Sequence, residues 1–281
     1  MATINTALHY GLRGKGVLAP GFDADITVID DPAAMRVSAC FAAGRLIARD
    51  GVMTTPSPAV RAPARLRSCV RIKPVTEADL RIVSPSGRVR VIGLVPGNLL
   101  TDHLQLTVHT TADGTVSCAD NPGLVKLAVV ERHHASGRIG LALVKGFVQE
   151  GRMLGGAIAS TVAHDSHNIV VAGDNDADMV CAFEALERMQ GGLVLVRGRT
   201  IVASLPLEVA GLMTDTDAGA TAHAKRHFIE TAHALFHVPA RLHPVMALSF
   251  LPLAVIPHLR LTDRGLFDVD AFAMTAIDAQ R

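Results

Sequence analysis

The densest group of side chains that could carry out chemistry is His164-Asp-Ser-His-Asn168, which lies between two apolar stretches. Imidazoles and carboxylates are common general acids and bases. Strand alternation would place the five side chains on opposite sides, so they can meet one ligand only if the chain turns here. A structural hydrogen-bond network and an independent metal site are the alternatives. The candidate catalytic residues are His164, Asp165 and His167, and the candidate substrate-binding residues are Ser166 and Asn168.

A second group, Glu131-Arg-His-His134, follows the strand predicted at Val125 to Val130. Two neutral imidazoles and a carboxylate could contact a polar ligand or orient a catalytic group. Adjacent histidines on a strand point to opposite faces, so ordinary capping and packing is the alternative. We add Glu131, His133 and His134 to the candidate substrate-binding residues.

The spacing of possible metal ligands predicts no metal site. None of the 13 histidines forms a His-x-His pair, and neither Cys-x-x-Cys nor His-Glu-x-x-His occurs. The four cysteines are scattered without a close pair, which is typical of reduced, partly buried residues. We therefore expect no metal and no other cofactor in this chain.

The elements that must position these groups are mostly strands. Short apolar segments separated by turn residues predict a small antiparallel sheet before residue 51, and a Pro-rich stretch at 54–63 predicts a linker. Beyond it, the segments 80–83 and 89–95 predict a hairpin. Helical spacing predicts helices at 176–189, where Asp and Asn can cap the first turn, and at 221–235. The expected fold class is α+β, with domains at 1–63 and 64–281. In the second, mixed α/β domain, strands outnumber helices.

The composition limits the classes of partner that this chain is expected to bind. A net charge of +1 without a basic run argues against nucleic acid. The longest apolar stretches fall short of the roughly 20 residues that span a bilayer. We expect neither nucleic acid nor membrane as a partner, and a cytoplasmic location.

Several longer motifs resemble known proteins. The stretch Gly11-Leu-Arg-Gly-Lys-Gly-Val-Leu-Ala-Pro-Gly21, its continuation to Asp30, and 43–51 resemble the far end of an amidohydrolase chain. More specific are Val129-Val-Glu-Arg-His-His-Ala-Ser-Gly-Arg-Ile-Gly140, the segment 157–169 and the tail 248–266, which resemble the adenine deaminases of that superfamily.

The resemblance implies an activity and a missing part. Residues 1–63 would be the end-of-barrel helix and a remnant of the amidohydrolase β-sandwich, and residues 64–281 the adenine deaminase C-terminal domain. The family's metal-binding barrel would lie upstream of Met1, with manganese or iron implied for the complete enzyme. The expected function is hydrolysis of adenine to hypoxanthine and ammonia in purine salvage, by a C-terminal module that needs a barrel partner. The alternative is a non-catalytic purine-binding or regulatory module. Implied partners are adenine and a separate barrel chain or a homo-oligomer.

Overall fold

A computed structural model of the chain describes residues 2–55 and 61–279, which form two compact units divided at residue 60. Half of the predicted linker at 54–63, residues 56–60, lies outside the described residues. The predicted boundary between 63 and 64 therefore stays a prediction. No helix in the described part is both long and apolar enough to cross a membrane.

The first unit is the predicted small antiparallel sheet. Its elements are helix α1 (Ile4–His9) and strands β1 (Ile26–Asp31), β2 (Arg36–Ala42), β3 (Arg45–Arg49) and β4 (Val52–Met53), which pair in chain order. Among residues 2–55 only Ala7 is buried, whereas Val28, Ile29, Val37 and Val52 are exposed. The unit thus has almost no interior of its own.

The second unit is built on one large sheet. Its elements in chain order are β5 (Arg88–Leu94), β6 (Thr101–Thr107), β7 (Leu124–Val130), β8 (Ile139–Lys145), β9 (Ala157–Ser160), β10 (Ile169–Gly173), α2 (Asp176–Arg188), β11 (Gly192–Arg197), β12 (Thr200–Pro206), α3 (Ala218–Leu235), α4 (Pro244–Phe250), β13 (Leu259–Thr262), β14 (Gly265–Asp268) and β15 (Ala273–Met274). Short 3-10 helices lie at Ala64–Leu66 and Glu77–Leu80. The eight strands β5 to β12 pair in the order β12-β11-β9-β10-β7-β8-β5-β6, and β13 to β15 form a separate sheet.

Packing on both faces buries the centre of this sheet. Helix α2 covers one face through residues such as Met179 and Phe183, while α3, α4 and the β13–β14 hairpin cover the other. Every residue of β7 is buried as a result. The fifteen strands and four helices of the described residues confirm the α+β class.

Both predicted helices form, and each begins just after a residue whose side chain caps its first turn. The Asn175 side chain accepts the Asp178 N–H at 3.0 Å and starts α2. Asp217 accepts the Ala220 N–H at 3.0 Å, so α3 begins three residues earlier than predicted.

The predicted hairpin of 80–83 with 89–95 is wrong. The turn forms, with the Gly87 N–H donating to the Ser84 carbonyl at 3.2 Å. However, β5 pairs with β6 on one side and in parallel with β8 on the other, so both edges are occupied. Val83 makes only an isolated bridge, to Thr115.

Candidate functional site

The two candidate segments meet at one end of the large sheet. Strands β7 and β10 are antiparallel neighbours with Val130 opposite Ile169, so the loop after β7 lies beside the loop before β10. One ring nitrogen of His133, Nε2, lies 2.8 Å from the Ser166 carbonyl oxygen. We call residues 131–136 and 163–168 together the histidine loops.

The 163–168 loop turns, so strand alternation does not apply to it. The His167 N–H donates to the Ala163 carbonyl at 2.8 Å and closes the turn, and His167 has a φ of 51°. The candidate catalytic residues His164 and Asp165 are exposed, as is Ser166, whereas His167 is half-buried and Asn168 is buried.

Glu131 is bonded to its own loop rather than open to a ligand. Its carboxylate accepts the N–H groups of His133 (2.6 Å), His134 (2.8 Å) and Ser136 (3.0 Å), and the Ser136 hydroxyl (2.7 Å). Burial alone would raise the pKa of Glu131, but these donors outweigh burial and lower its pKa to about 2. The carboxylate therefore holds in place the loop that carries the exposed side chains of His133 and His134.

Arg132 lies between the predicted residues Glu131 and His133, and the sequence did not indicate that its side chain holds several segments together. Its side chain is 1% exposed. The guanidinium donates to the carbonyl of His167, to that of Cys69 at 3.2 Å and to that of Ala210 at 3.0 Å. It thereby joins the two histidine loops to two further segments. Only its position inside the quoted Glu-Arg-His-His motif was a signal.

Helix α4 contacts His164, which the sequence also did not predict. The His164 ring lies against the Phe250 ring, with centroids 4.6 Å apart, and the His164 N–H donates to the Ser249 carbonyl at 2.8 Å. The Ser249 hydroxyl in turn contacts the Val162 and Val245 carbonyl oxygens, each at 2.8 Å. The end of α4 thus fixes the position of His164.

Two buried polar atoms of the loops, His167 Nδ1 and Asn168 Oδ1, have no hydrogen-bond partner among the described residues. Burial lowers the pKa of His167, and the nearby positive charge of Arg132 lowers it further. His167 is accordingly neutral at neutral pH. Buried polar atoms without partners are uncommon in folded proteins, so these two mark the loops as a place where a further polar group could bind.

The histidine loops do not fit a metal. Ring centroids are 6.4 Å apart for His133 and His134, and 6.4 Å apart for His164 and His167. Across residues 2–55 and 61–279, no three His, Cys, Asp or Glu side chains converge as a metal site would require. What the loops offer is a surface of exposed imidazoles and one carboxylate, held by Glu131 and Arg132.

Comparisons with known proteins cover both units. A family model described as the adenine deaminase C-terminal domain matches residues 98–273, and one described as the amidohydrolase family matches residues 1–65. The adenine deaminase of Nitratidesulfovibrio vulgaris (strain DP4) is 48% identical over 277 residues, 99% of this chain and 47% of that protein. That of Geobacillus kaustophilus (strain HTA426) is 40% identical over 284 residues, 99% of this chain and 48% of that protein.

A third relative, the adenine deaminase of Methanothrix thermoacetophila, is 43% identical over 273 residues, 97% of this chain and 46% of that protein. The chain spans about half the length of the curated relatives it matches. The matched residues include both histidine loops, Arg132 and the α4 contact. This chain therefore belongs to the adenine deaminase family, within the amidohydrolases.

Proposed function

We propose that this chain is the C-terminal half of a cytoplasmic enzyme that hydrolyses adenine to hypoxanthine and ammonia in purine salvage. We also propose that it needs the metal-bearing barrel part of the family for activity. In the reaction one water adds to C6 of the ring, and the exocyclic nitrogen leaves as ammonia. A group must accept a proton from the water, and another must donate one to the departing nitrogen.

The observation that carries the need for a barrel part is the apolar surface of the first unit. Val28 and Ile29 are each 39% exposed, Val52 is 69% exposed, and only Ala7 is buried among residues 2–55. A sheet that leaves both of its faces uncovered gains little from hydrophobic burial. Because the relatives are about twice as long as this chain, we propose that their remaining portion covers this surface.

The donor set of the described residues does not fit manganese or iron, so we assign no step to a metal held by this chain. In the proposal, His164 and Asp165 present an imidazole and a carboxylate that form hydrogen bonds to adenine and transfer protons. Neutral His167 keeps an imidazole lone pair available to accept a proton. Glu131 and Arg132 act as positioning residues through the loops that they hold.

The test is ammonia release from adenine by the full chain, alone and mixed with the remaining portion of the Nitratidesulfovibrio vulgaris relative, in the presence of manganese. We expect release only from the mixture. The double substitution of His164→Asn and Asp165→Asn should lower kcat by at least about 10-fold, which is less than general acid–base catalysis typically contributes. The matched control is His227→Asn, at an exposed histidine of α3.

Three outcomes contradict parts of the proposal. Turnover by the chain alone, with stoichiometric metal, would refute the need for a barrel part. Full activity of the doubly substituted mixture would refute the roles of His164 and Asp165. Saturable adenine binding by the mixture without ammonia release would indicate the alternative, a non-catalytic purine-binding module.

A further inference from the structure

A small cavity of about 220 Å³ lies between α4 and the residues that join β5 to β6. Apolar side chains form most of its wall, among them Leu94, Leu99, Leu242, Met246 and Leu251. Its volume is below the roughly 300 to 1,000 Å³ of pockets for drug-sized ligands. The cavity therefore suits only a small molecule with an apolar body.

The buried residue at this cavity is a cation without a carboxylate partner. Arg260 lines the cavity and is 1% exposed. Its guanidinium donates to four carbonyls, those of Ile256 (2.7 Å), Phe250 (3.2 Å), Leu99 (2.7 Å) and Pro257 (2.8 Å). These bonds use four of the five N–H groups of a guanidinium and add no negative charge. Burial lowers the pKa of Arg260 to about 10, consistent with an uncompensated charge.

Two further cationic or potentially cationic residues line the same cavity at its exposed side, Arg241 and His243. The His243 Nδ1 accepts the Met246 N–H at 3.3 Å, so the neutral ring carries its proton on Nε2 as a donor. Burial lowers the pKa of His243, and the positive charge of Lys225 lowers it further, with a smaller effect from His233.

The described wall of the cavity carries no negative charge that would balance these cations. None of the described residues that line the cavity is acidic. No ion pair between described residues includes Arg241 or Arg260. The cavity thus combines apolar walls with the positive charges of Arg241 and Arg260 and with the Nε2–H donor of the His243 ring.

We propose that this cavity binds a small organic carboxylate, with its apolar body against the leucine and methionine walls and its charge beside Arg241, His243 and the buried Arg260. A carboxylate can pair with a guanidinium and leave few oxygen lone pairs to satisfy. Inorganic phosphate has more oxygens and no apolar body, so the apolar walls would leave part of it without partners. The proposal does not depend on adenine turnover.

Binding here would also reach the histidine loops. Phe250 lines the cavity, and its ring also contacts the His164 ring at 4.6 Å between centroids. A ligand that moves Phe250 therefore changes the environment of His164.

The test uses the full chain with carbon-13 labelled methionine methyl groups, titrated with isobutyrate and followed by NMR. We expect a saturable shift of the Met246 methyl, which lines the cavity, and none of the Met213 methyl, which is 55% exposed elsewhere. Isobutyramide, of nearly the same shape but neutral, should bind at least about 5-fold more weakly, as should inorganic phosphate.

The substitution Arg241→Gln tests the charge, because this side chain is exposed and its loss should leave the fold intact. We expect it to weaken isobutyrate binding by at least about 5-fold, whereas Arg226→Gln on α3, outside the cavity, should have no effect. His243→Asn keeps a residue able to cap α4 and should weaken binding less. The proposal is overturned by an unshifted Met246 methyl, by equal affinity for isobutyramide or phosphate, or by unchanged binding in Arg241→Gln.

Discussion

Replacing Glu131 by Gln tests whether one buried carboxylate holds the first histidine loop. Glu131 is 3% exposed and accepts four hydrogen bonds from residues 133–136. In Glu131→Gln one oxygen can still accept from His133 and His134. The new amide N–H₂ group, however, faces the N–H of Ser136, and two donors cannot bond to each other.

The magnitude follows from the pKa. The donors lower the pKa of Glu131 from 4.5 to about 2. At about 1.36 kcal/mol per pKa unit, the ionised carboxylate contributes about 3 kcal/mol to the free energy of unfolding at pH 7. Because the folded pKa is the lower one, this stability is complete above the unfolded pKa and is lost as the pH falls toward 2. By pH 3.5 the native chain should have lost about 1 kcal/mol of it, while the Gln variant has no such group to titrate.

The assay is urea denaturation of the native chain and of Glu131→Gln at pH 7 and pH 3.5, followed by circular dichroism. We expect the difference in unfolding free energy to fall from about 3 to about 2 kcal/mol between these pH values. The matched control is Glu150→Gln, whose side chain is 89% exposed and should cost less than about 0.5 kcal/mol. A difference below about 1 kcal/mol at pH 7, or one independent of pH, would refute the role assigned to Glu131.

Three further predictions concern the same unit. Arg132→Met leaves three part-buried carbonyls without their donor and should lower the unfolding free energy in urea by about 3 kcal/mol. Arg226→Met should change it by less than about 0.5 kcal/mol, and equal effects of the two substitutions would contradict the role assigned to Arg132. Gly140→Ala would place a Cβ 1.9 Å from the Thr262 carbonyl oxygen. We therefore expect the unfolding free energy in the same assay to fall by about 3 kcal/mol. A native-like denaturation midpoint would show that β13 does not approach β8 this closely. Burial raises the pKa of the Cys118 thiol to about 12. Maleimide at pH 8 should therefore label half-buried Cys69 before Cys118, as measured by mass spectrometry. Equal labelling rates in the folded chain would contradict the burial of Cys118.

Local sequence patterns correctly predicted the helices and strands that depend on residues a few positions apart. The apolar run Val125-Lys-Leu-Ala-Val-Val130 predicted a strand, and the observed strand β7 is buried along its whole length. The residues Asn175 and Asp217 cap the two predicted helices through bonds to N–H groups three residues away.

The candidate site was only partly predictable. The sequence identified both histidine loops as polar groups beside apolar strands. It did not show that they are neighbours, which follows from the antiparallel pairing of β7 with β10. It also suggested strand alternation for His164 to Asn168, whereas the chain turns there because His167 bonds back to Ala163.

Tertiary structure alone decided which groups hold the site together. Arg132 bonds to carbonyls 35, 63 and 78 residues away, and His164 stacks on Phe250 from a helix that the sequence did not predict. The parallel pairing of β5 with β8 likewise replaced a plausible local hairpin. Helix caps and strand patterns depend on residues a few positions apart, so a single sequence reveals them. Backbone carbonyls carry no side-chain signature, and their long-range partners are fixed only when the whole sheet and its covering helices have packed.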